Sequence, residues 1–354
     1  MELTLSQINA TKGIAILMMI CLHLFSTLDY KGLFQPLIFV GSIPLCYYIS
    51  LFCDCCVAIY CFCSGYGLYI GYSRSTSNYN RKNQFRLLKL YLNYWIVLLL
   101  FAVGLGLLLG KTVIYPGSIL KFTLNFTAIN PSYNGSWWFV TTYILLVLSS
   151  SLLFKIIQKM DYRIVLLFSF VLYAIAYIQR IKVPLQINQV FLDGVLQQLA
   201  LLGTSQFPFV IGAIAFKQKW FSVFSEYLNK FSAKNIALLL VICLAIIFHG
   251  FIPSLFVAVF TGFVFIFCFN ALGLPQVLDK IFHYLGKHST NLWLIHMFFY
   301  LIFFKEIIYA PKYPILIYIW LLFWSLLASH FVNLFYKPIL NWLNQKIKND
   351  ISVV

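Results

Sequence analysis

INATKGIAILMMICLHLFSTL, residues Ile8 to Leu28, is an apolar run that carries two ionisable side chains, Lys12 near its start and His23 near its end. A helix of about 20 apolar residues crosses the hydrocarbon of a bilayer. Lys12 and His23 are eleven positions apart. At ~100° per residue this is three turns plus ~20°, so both point to nearly the same face, ~16 Å apart along the axis. A cation at one end and an imidazole at the other suggest a polar track through a membrane. Lys12 alone is explained by snorkelling, with its ammonium reaching the interface. His23 alone could be a histidine hydrogen-bonded across helices, although an ionisable residue within a span is a functional candidate by default.

The rest of the chain extends this reading. It has 354 residues, 62% hydrophobic and only 10% charged, against about 25% charged in a soluble domain. An all-α polytopic membrane protein follows. We expect about ten transmembrane helices, near 8–28, 45–72, 87–109, 137–157, 162–179, 195–216, 234–250, 254–272, 289–309 and 314–336. The net charge of +16 does not call for a nucleic-acid partner, because Lys and Arg collect on cytoplasmic loops of membrane proteins. With the N-terminus inside, 18 of the 25 Lys and Arg fall on the inner side. Both termini are therefore expected to be cytoplasmic. No appended soluble domain, repeat or cleavable leader is apparent, and residues 1–354 read as a single membrane-embedded domain.

Nine cysteines are present, five of them between Cys53 and Cys63. Neither CDCC nor CFC has the paired C-x-x-C spacing of a zinc ribbon, and no His lies nearby. Small helix-packing residues are the expected reading, and no metal site is. Two outer loops, 110–136 and 180–194, are rich in Tyr, Asn and Gln. They suit a sugar-binding surface or an ordinary solvated loop equally.

Four further stretches could carry chemistry. Arg86 and Lys89 stand three apart, on one helical face, where the chain re-enters the membrane. They could hold phosphates, Arg by a fork and Lys as a point charge, or simply anchor the inner face. SGYG, Ser64 to Gly67, has glycines that permit close helix approach. SWWF places Trp137 and Trp138 at the outer start of a span, where Trp is common. LGKHSTNLWLIH, Leu285 to His296, has Gly286 and Ser289 at its start and a second intramembrane histidine, His296, further in.

Together these stretches resemble the acyltransferase-3 family of integral membrane O-acyltransferases. Its first motif, of D-x-x-R-G type with Arg or Lys and then a His, reads here as Asn9-Ala10-Thr11-Lys12-Gly13 followed by His23. VAIYCFCSGYGL is similar to its G-V-x-(I/L)-F-F-x-x-S-G-(F/Y) element, SWWF to its W-F-(L/V) element, and LGKHSTNLWLIH to its L-G-x-x-S-x-x-(I/L)-Y-L-x-H element. Order and spacing agree over nearly the whole chain. Asn9 replaces the usual Asp, Arg86-x-x-Lys89 replaces an R-x-x-R, Ala58 stands where many members carry a polar residue, and Trp293 replaces a Tyr.

The resemblance implies transfer of an acyl group, usually acetyl from cytoplasmic acetyl-CoA as co-substrate, to a carbohydrate hydroxyl. His23 and Lys12 are the implied catalytic residues. Arg86, Lys89 and Ser64 are implied at the acyl-CoA donor site, and Trp138, His296, Ser289 and Asn9 at the acceptor or pocket. The implied partners are an acyl-CoA donor, a carbohydrate acceptor and the lipid bilayer, with the assembly machinery of a polysaccharide acceptor. No bound cofactor is expected. A multi-pass protein of a bacterial plasma membrane fits this reading. A transporter or flippase also fits ten spans with buried polar groups, but the repeat symmetry that would favour it is not apparent.

Overall fold

The structure is a computed structural model that describes residues 2–352, and side chains for all of these except Val190 and residues 346–352. The side chains of Lys346 and Lys348, counted above on the inner side, lie outside the described residues. The described chain is 79% helical. In order its elements are α1 (Leu5–Phe25), a two-residue strand pair β1 (Phe39–Val40) and β2 (Ile43–Pro44), α2 (Leu45–Phe52) and α3 (Cys56–Arg74). Then come α4 (Tyr79–Val97), α5 (Leu105–Leu108), α6 (Ile119–Phe126), α7 (Trp138–Lys159), α8 (Tyr162–Tyr177), α9 (Val190–Lys217) and α10 (Trp220–Leu228). The last are α11 (Lys234–Phe251), α12 (Leu255–Ala271), α13 (Gln276–Met297), α14 (Lys305–Tyr309) and α15 (Pro314–Ser352). Three π-helical stretches, Leu98–Gly104, Ile178–Lys182 and Phe298–Phe303, extend α4, α8 and α13.

Among the described residues, eight helical segments are long and apolar enough to cross a membrane: Leu5–Phe25, Leu45–Arg74, Tyr79–Leu108, Gly135–Lys159, Tyr162–Lys182, Phe191–Lys217, Lys234–Phe251 and Pro314–Gln345. The other two expected segments are also helical. One is the shorter apolar α12. The other is α13 with its π-helical extension, whose first half carries Asp279, Lys280 and Lys287. This helix begins at Gln276 rather than near residue 289, so the LGKHS motif lies inside it.

Contacts divide the chain into two units, each made of two sequence segments. The first comprises Met1–Asn80 and Thr142–Ser289, the second Arg81–Thr141 and Thr290–Val354.

Glycine sets the packing of the first unit. A Cβ at Gly65 would strike the carbonyl of Phe209, and one at Gly212 would strike that of Phe62. The backbones of α3 and α9 are therefore in contact, as the SGYG sequence allows. Gly67 of the same motif has open space where a Cβ would stand. Gly13 and Gly286 make a second reciprocal pair, against the carbonyls of Phe282 and Asn9. Small residues at such crossings let helices gain dispersion contact where lipid removes the hydrophobic drive. Helix α1 starts in a capping box: the Thr4 hydroxyl accepts from the Gln7 amide at 3.2 Å, and the Thr4 amide donates to the Gln7 side chain at 3.0 Å. This supplies partners to two groups that a helix start leaves open. The Glu2 carboxylate then accepts from the Tyr66 hydroxyl (2.7 Å) and from the Ser222 amide (3.0 Å), tying the N-terminus to α3 and α10.

The second unit is stitched by side chains. Trp137 is fully buried, and its indole N–H donates to the Leu294 carbonyl at 2.9 Å. Trp293 answers with an N–H to the Ser136 carbonyl at 3.0 Å. Loop 110–136 is a folded cap around Asn125. This side chain donates to Ser132 Oγ (3.1 Å) and accepts from the Tyr133 amide (2.9 Å). The Tyr115 hydroxyl donates to the Tyr133 carbonyl at 3.2 Å, and the Lys121 ammonium lies over both rings. Burial pushes the Tyr133 hydroxyl up to about 12. Much of the polar inventory that might have read a sugar is thus spent on the loop's own structure.

Candidate active site

In the first unit three helices bring five of the named residues together. Helix α1 supplies Asn9 and Lys12, α3 supplies Ser64, and α13 supplies Gly286 and Ser289. The side chain that links them is Tyr60. Its hydroxyl donates to the Lys12 carbonyl at 3.2 Å and stands beside the hydroxyl of buried Ser289. Ser289 Oγ donates to the Gly286 carbonyl at 2.9 Å, and Ser64 Oγ donates to the Tyr60 carbonyl at 2.7 Å. The crossing of α1 and α13 at the Gly13–Gly286 pair fixes this geometry. It presses the Asn9 backbone against Gly286 and leaves the Lys12 side chain half-buried one residue away.

His23 is apart from this cluster. It lies half-buried in the last turn of α1, which ends at Phe25. Helix α1 is unbroken between the two residues, so the ~16 Å rise expected from eleven residues holds. A histidine in the last turn also sits at the negative end of the helix dipole. His249, by contrast, is tied by Nδ1 to the Thr261 hydroxyl at 2.9 Å between α11 and α12.

The second unit holds the remaining four. Arg86 is half-buried and donates to the buried Asn83 side chain. Lys89 is half-buried, and its carbonyl accepts from the Tyr336 hydroxyl of α15 at 3.3 Å. Trp138 is half-exposed, with its ring edge toward Phe139 at 5.5 Å between centroids. It is the neighbouring Trp137 that is locked in the interior. His296 is fully buried, with Nδ1 2.9 Å from the Leu292 carbonyl and 3.0 Å from that of Trp293. Carbonyls only accept, so Nδ1 carries a proton. A chain of buried amides accompanies these residues. Asn93 donates to Asn291 Oδ1 at 2.7 Å, and Asn291 donates at 3.3 Å to the Ser329 carbonyl and to Asn333 Oδ1. The Asn93 side-chain oxygen is buried with no hydrogen-bond partner.

Tyr60 and Asn93 did not stand out in the sequence, yet spacing signals both. Tyr60 precedes Ser64 by four residues and Asn93 follows Arg86 by seven, and each interval returns a helix to the same face. Among the described residues no cluster of His, Cys, Asp or Glu is suited to hold a metal ion. The five cysteines from Cys53 to Cys63 are buried free thiols.

A family model described as an acyltransferase domain, Acyl_transf_3, matches residues 5–342. Comparison with curated proteins and with solved structures finds no match. The match extends from the first turn of α1 into α15 and includes every motif residue named above. The chain belongs to the acyltransferase-3 family and is a multi-pass membrane acyltransferase.

Proposed function

We propose that the protein transfers an acetyl group from cytoplasmic acetyl-CoA to a hydroxyl of a cell-surface polysaccharide or its lipid-linked precursor. The setting is a bacterial plasma membrane, with both termini cytoplasmic. The observation that carries this reading is the unbroken α1, with Lys12 and His23 on one face at opposite ends of a membrane-length helix. Family membership supports the reaction class.

In this reading His23 acts as the general base. Its neutral imidazole takes the proton of the acceptor hydroxyl as that oxygen attacks the thioester carbonyl. The C–S bond breaks as the C–O bond forms, and the proton passes to the departing CoA thiolate. A variant routes the acetyl group through a transient acyl-imidazole on His23. Arg86 and Lys89 bind the phosphates of CoA. Lys12 and Ser64 assist in use of the donor, and within the first unit Tyr60 ties the Lys12 backbone to this role. Trp138, His296, Ser289 and Asn9 are assigned acceptor or pocket roles, residue by residue, from the family resemblance.

The test is covalent transfer. Membranes containing the protein are incubated with acetyl-CoA labelled in the acetyl carbon, and the carbohydrate fraction is assayed for label. Label that depends on the protein and is lost in His23→Ala supports the reading. Movement of the carbohydrate across the bilayer without label would replace it with transport.

A further inference from the structure

The second unit contains a groove that the acetyl-transfer reading does not use. It has a volume of about 880 Å³, within the ~300–1,000 Å³ range of ligand sites. One wall is the π-helical extension of α4, including Leu99, Phe101 and Gly104, with Leu105 and Leu108 beyond it. The extension of α13 adds Phe299, so two of the π-helical stretches line the same groove. Such widened turns are uncommon and concentrate at functional sites. The facing wall is α15, from Trp324 to Lys337.

Polarity changes along that wall. Trp324, Leu327 and Ala328 make its first part apolar, His330 and Asn333 join Phe331 and Leu334 further on, and Lys337 ends it. His330, Asn333 and Lys337 are spaced by three and four residues, which puts them on one face of the helix. Lys337 is exposed, and no acidic side chain is among the lining residues. The thirteen steps along the helix from Trp324 to Lys337 rise ~20 Å. Half of a ~30 Å hydrocarbon core is about 15 Å, so the groove is as long as one leaflet's chain with its headgroup. It is short for a longer isoprenoid.

We propose that this groove is a binding site for an anionic bilayer phospholipid, with one acyl chain along the π-helical wall and the phosphate at Lys337. Lysine supplies a point charge that an anionic headgroup satisfies and a zwitterionic one satisfies less. The apolar trough supplies the fit that a lysine merely snorkelling to the interface lacks. The site is independent of the acetyl-transfer reading.

The experiment uses the full chain in nanodiscs of equal phosphatidylcholine and phosphatidylglycerol, with native mass spectrometry of the lipid that stays bound. The parent protein should retain phosphatidylglycerol in preference. Lys337→Glu should lower that retention about fivefold, the size expected of one lysine at an anionic lipid surface. Leu327→Trp, which fills the trough and leaves the charge, should lower it as well. Lys230→Glu, an exposed lysine of the first unit, should leave it unchanged. Equal retention of the two lipids by the parent, undiminished retention by Lys337→Glu, or an isoprenoid phosphate found in place of phospholipid would each overturn the proposal.

Discussion

Gly13 and Gly286 give α1 and α13 a backbone-to-backbone crossing. A methyl on either would enter the carbonyl of the opposite helix, at Phe282 or at Asn9. The partner atoms are main chain, so neither can swing aside. Gly13→Ala and Gly286→Ala should each lower stability by about 1–3 kcal/mol, the usual cost of overpacking. Thermal unfolding in detergent measures this. Gly67→Ala is the control, because a Cβ there meets nothing within 4 Å. It should be neutral or stabilising by about 0.5–1 kcal/mol, since alanine is the better helix former.

His23→Ala should give folded, membrane-inserted protein whose acyl transfer falls by about 10²–10⁴-fold, the usual contribution of a general base. Transfer at the parental rate would remove His23 from the mechanism. His296→Ala provides a contrast. It vacates a fully buried site and should reduce thermal stability as well as activity.

Arg86→Ala and Lys89→Ala should raise the KM for acetyl-CoA by roughly ten- to a hundredfold each, as expected when a charge-assisted hydrogen bond is lost. The kcat should change less. Initial rates at varied acetyl-CoA separate the two. An unchanged KM in both variants would remove this helix from the donor site.

Tyr60→Phe removes the hydroxyl that reaches the Lys12 carbonyl and keeps the ring. Loss of one such bond costs about 1 kcal/mol, so the expected result is a small fall in melting temperature. A larger fall in activity than in stability would place Tyr60 within the reacting centre. Equal loss of both would confine it to packing.

Asn291→Leu should be more damaging than its volume change suggests. It leaves the Asn93 amide without the acceptor it now has at 2.7 Å. Asn93 already carries one unsatisfied oxygen. A stranded buried donor costs about 1–3 kcal/mol, which thermal unfolding or recovery of folded protein would register. The double variant Asn93→Leu/Asn291→Leu should recover part of the loss, because two apolar groups strand nothing.

Periodicity and composition made the helices legible, because a bilayer forces nearly every spanning residue to be apolar and every backbone group to bond internally. Glycine was legible as well: SGYG announced the close approach that Gly65 makes with α9. Ranking within a motif was not. SWWF contains two tryptophans, and which one is buried depends on whether the Leu294 carbonyl meets the indole of Trp137 or Trp138. No local pattern encodes that. The start of α13 was missed because Asp279, Lys280 and Lys287 lower the hydropathy of a helix that nevertheless continues unbroken into the LGKHS motif. Spacing marks the positions of Tyr60 and Asn93 but not their roles, which consist of partners 48 and 198 residues away.

The two-segment make-up of each unit has a consequence for biosynthesis. Residues 81–141 leave the ribosome long before residues 290–354, with which they form one unit. Helix α4 must therefore wait in the bilayer, with Asn93 lacking the partner that Asn291 later supplies, while residues 142–289 of the first unit are being made. A nascent chain stalled near residue 289 should hold a finished first unit beside an unfinished second one. This interval is when chaperones or proteases of the membrane have their longest access to the chain.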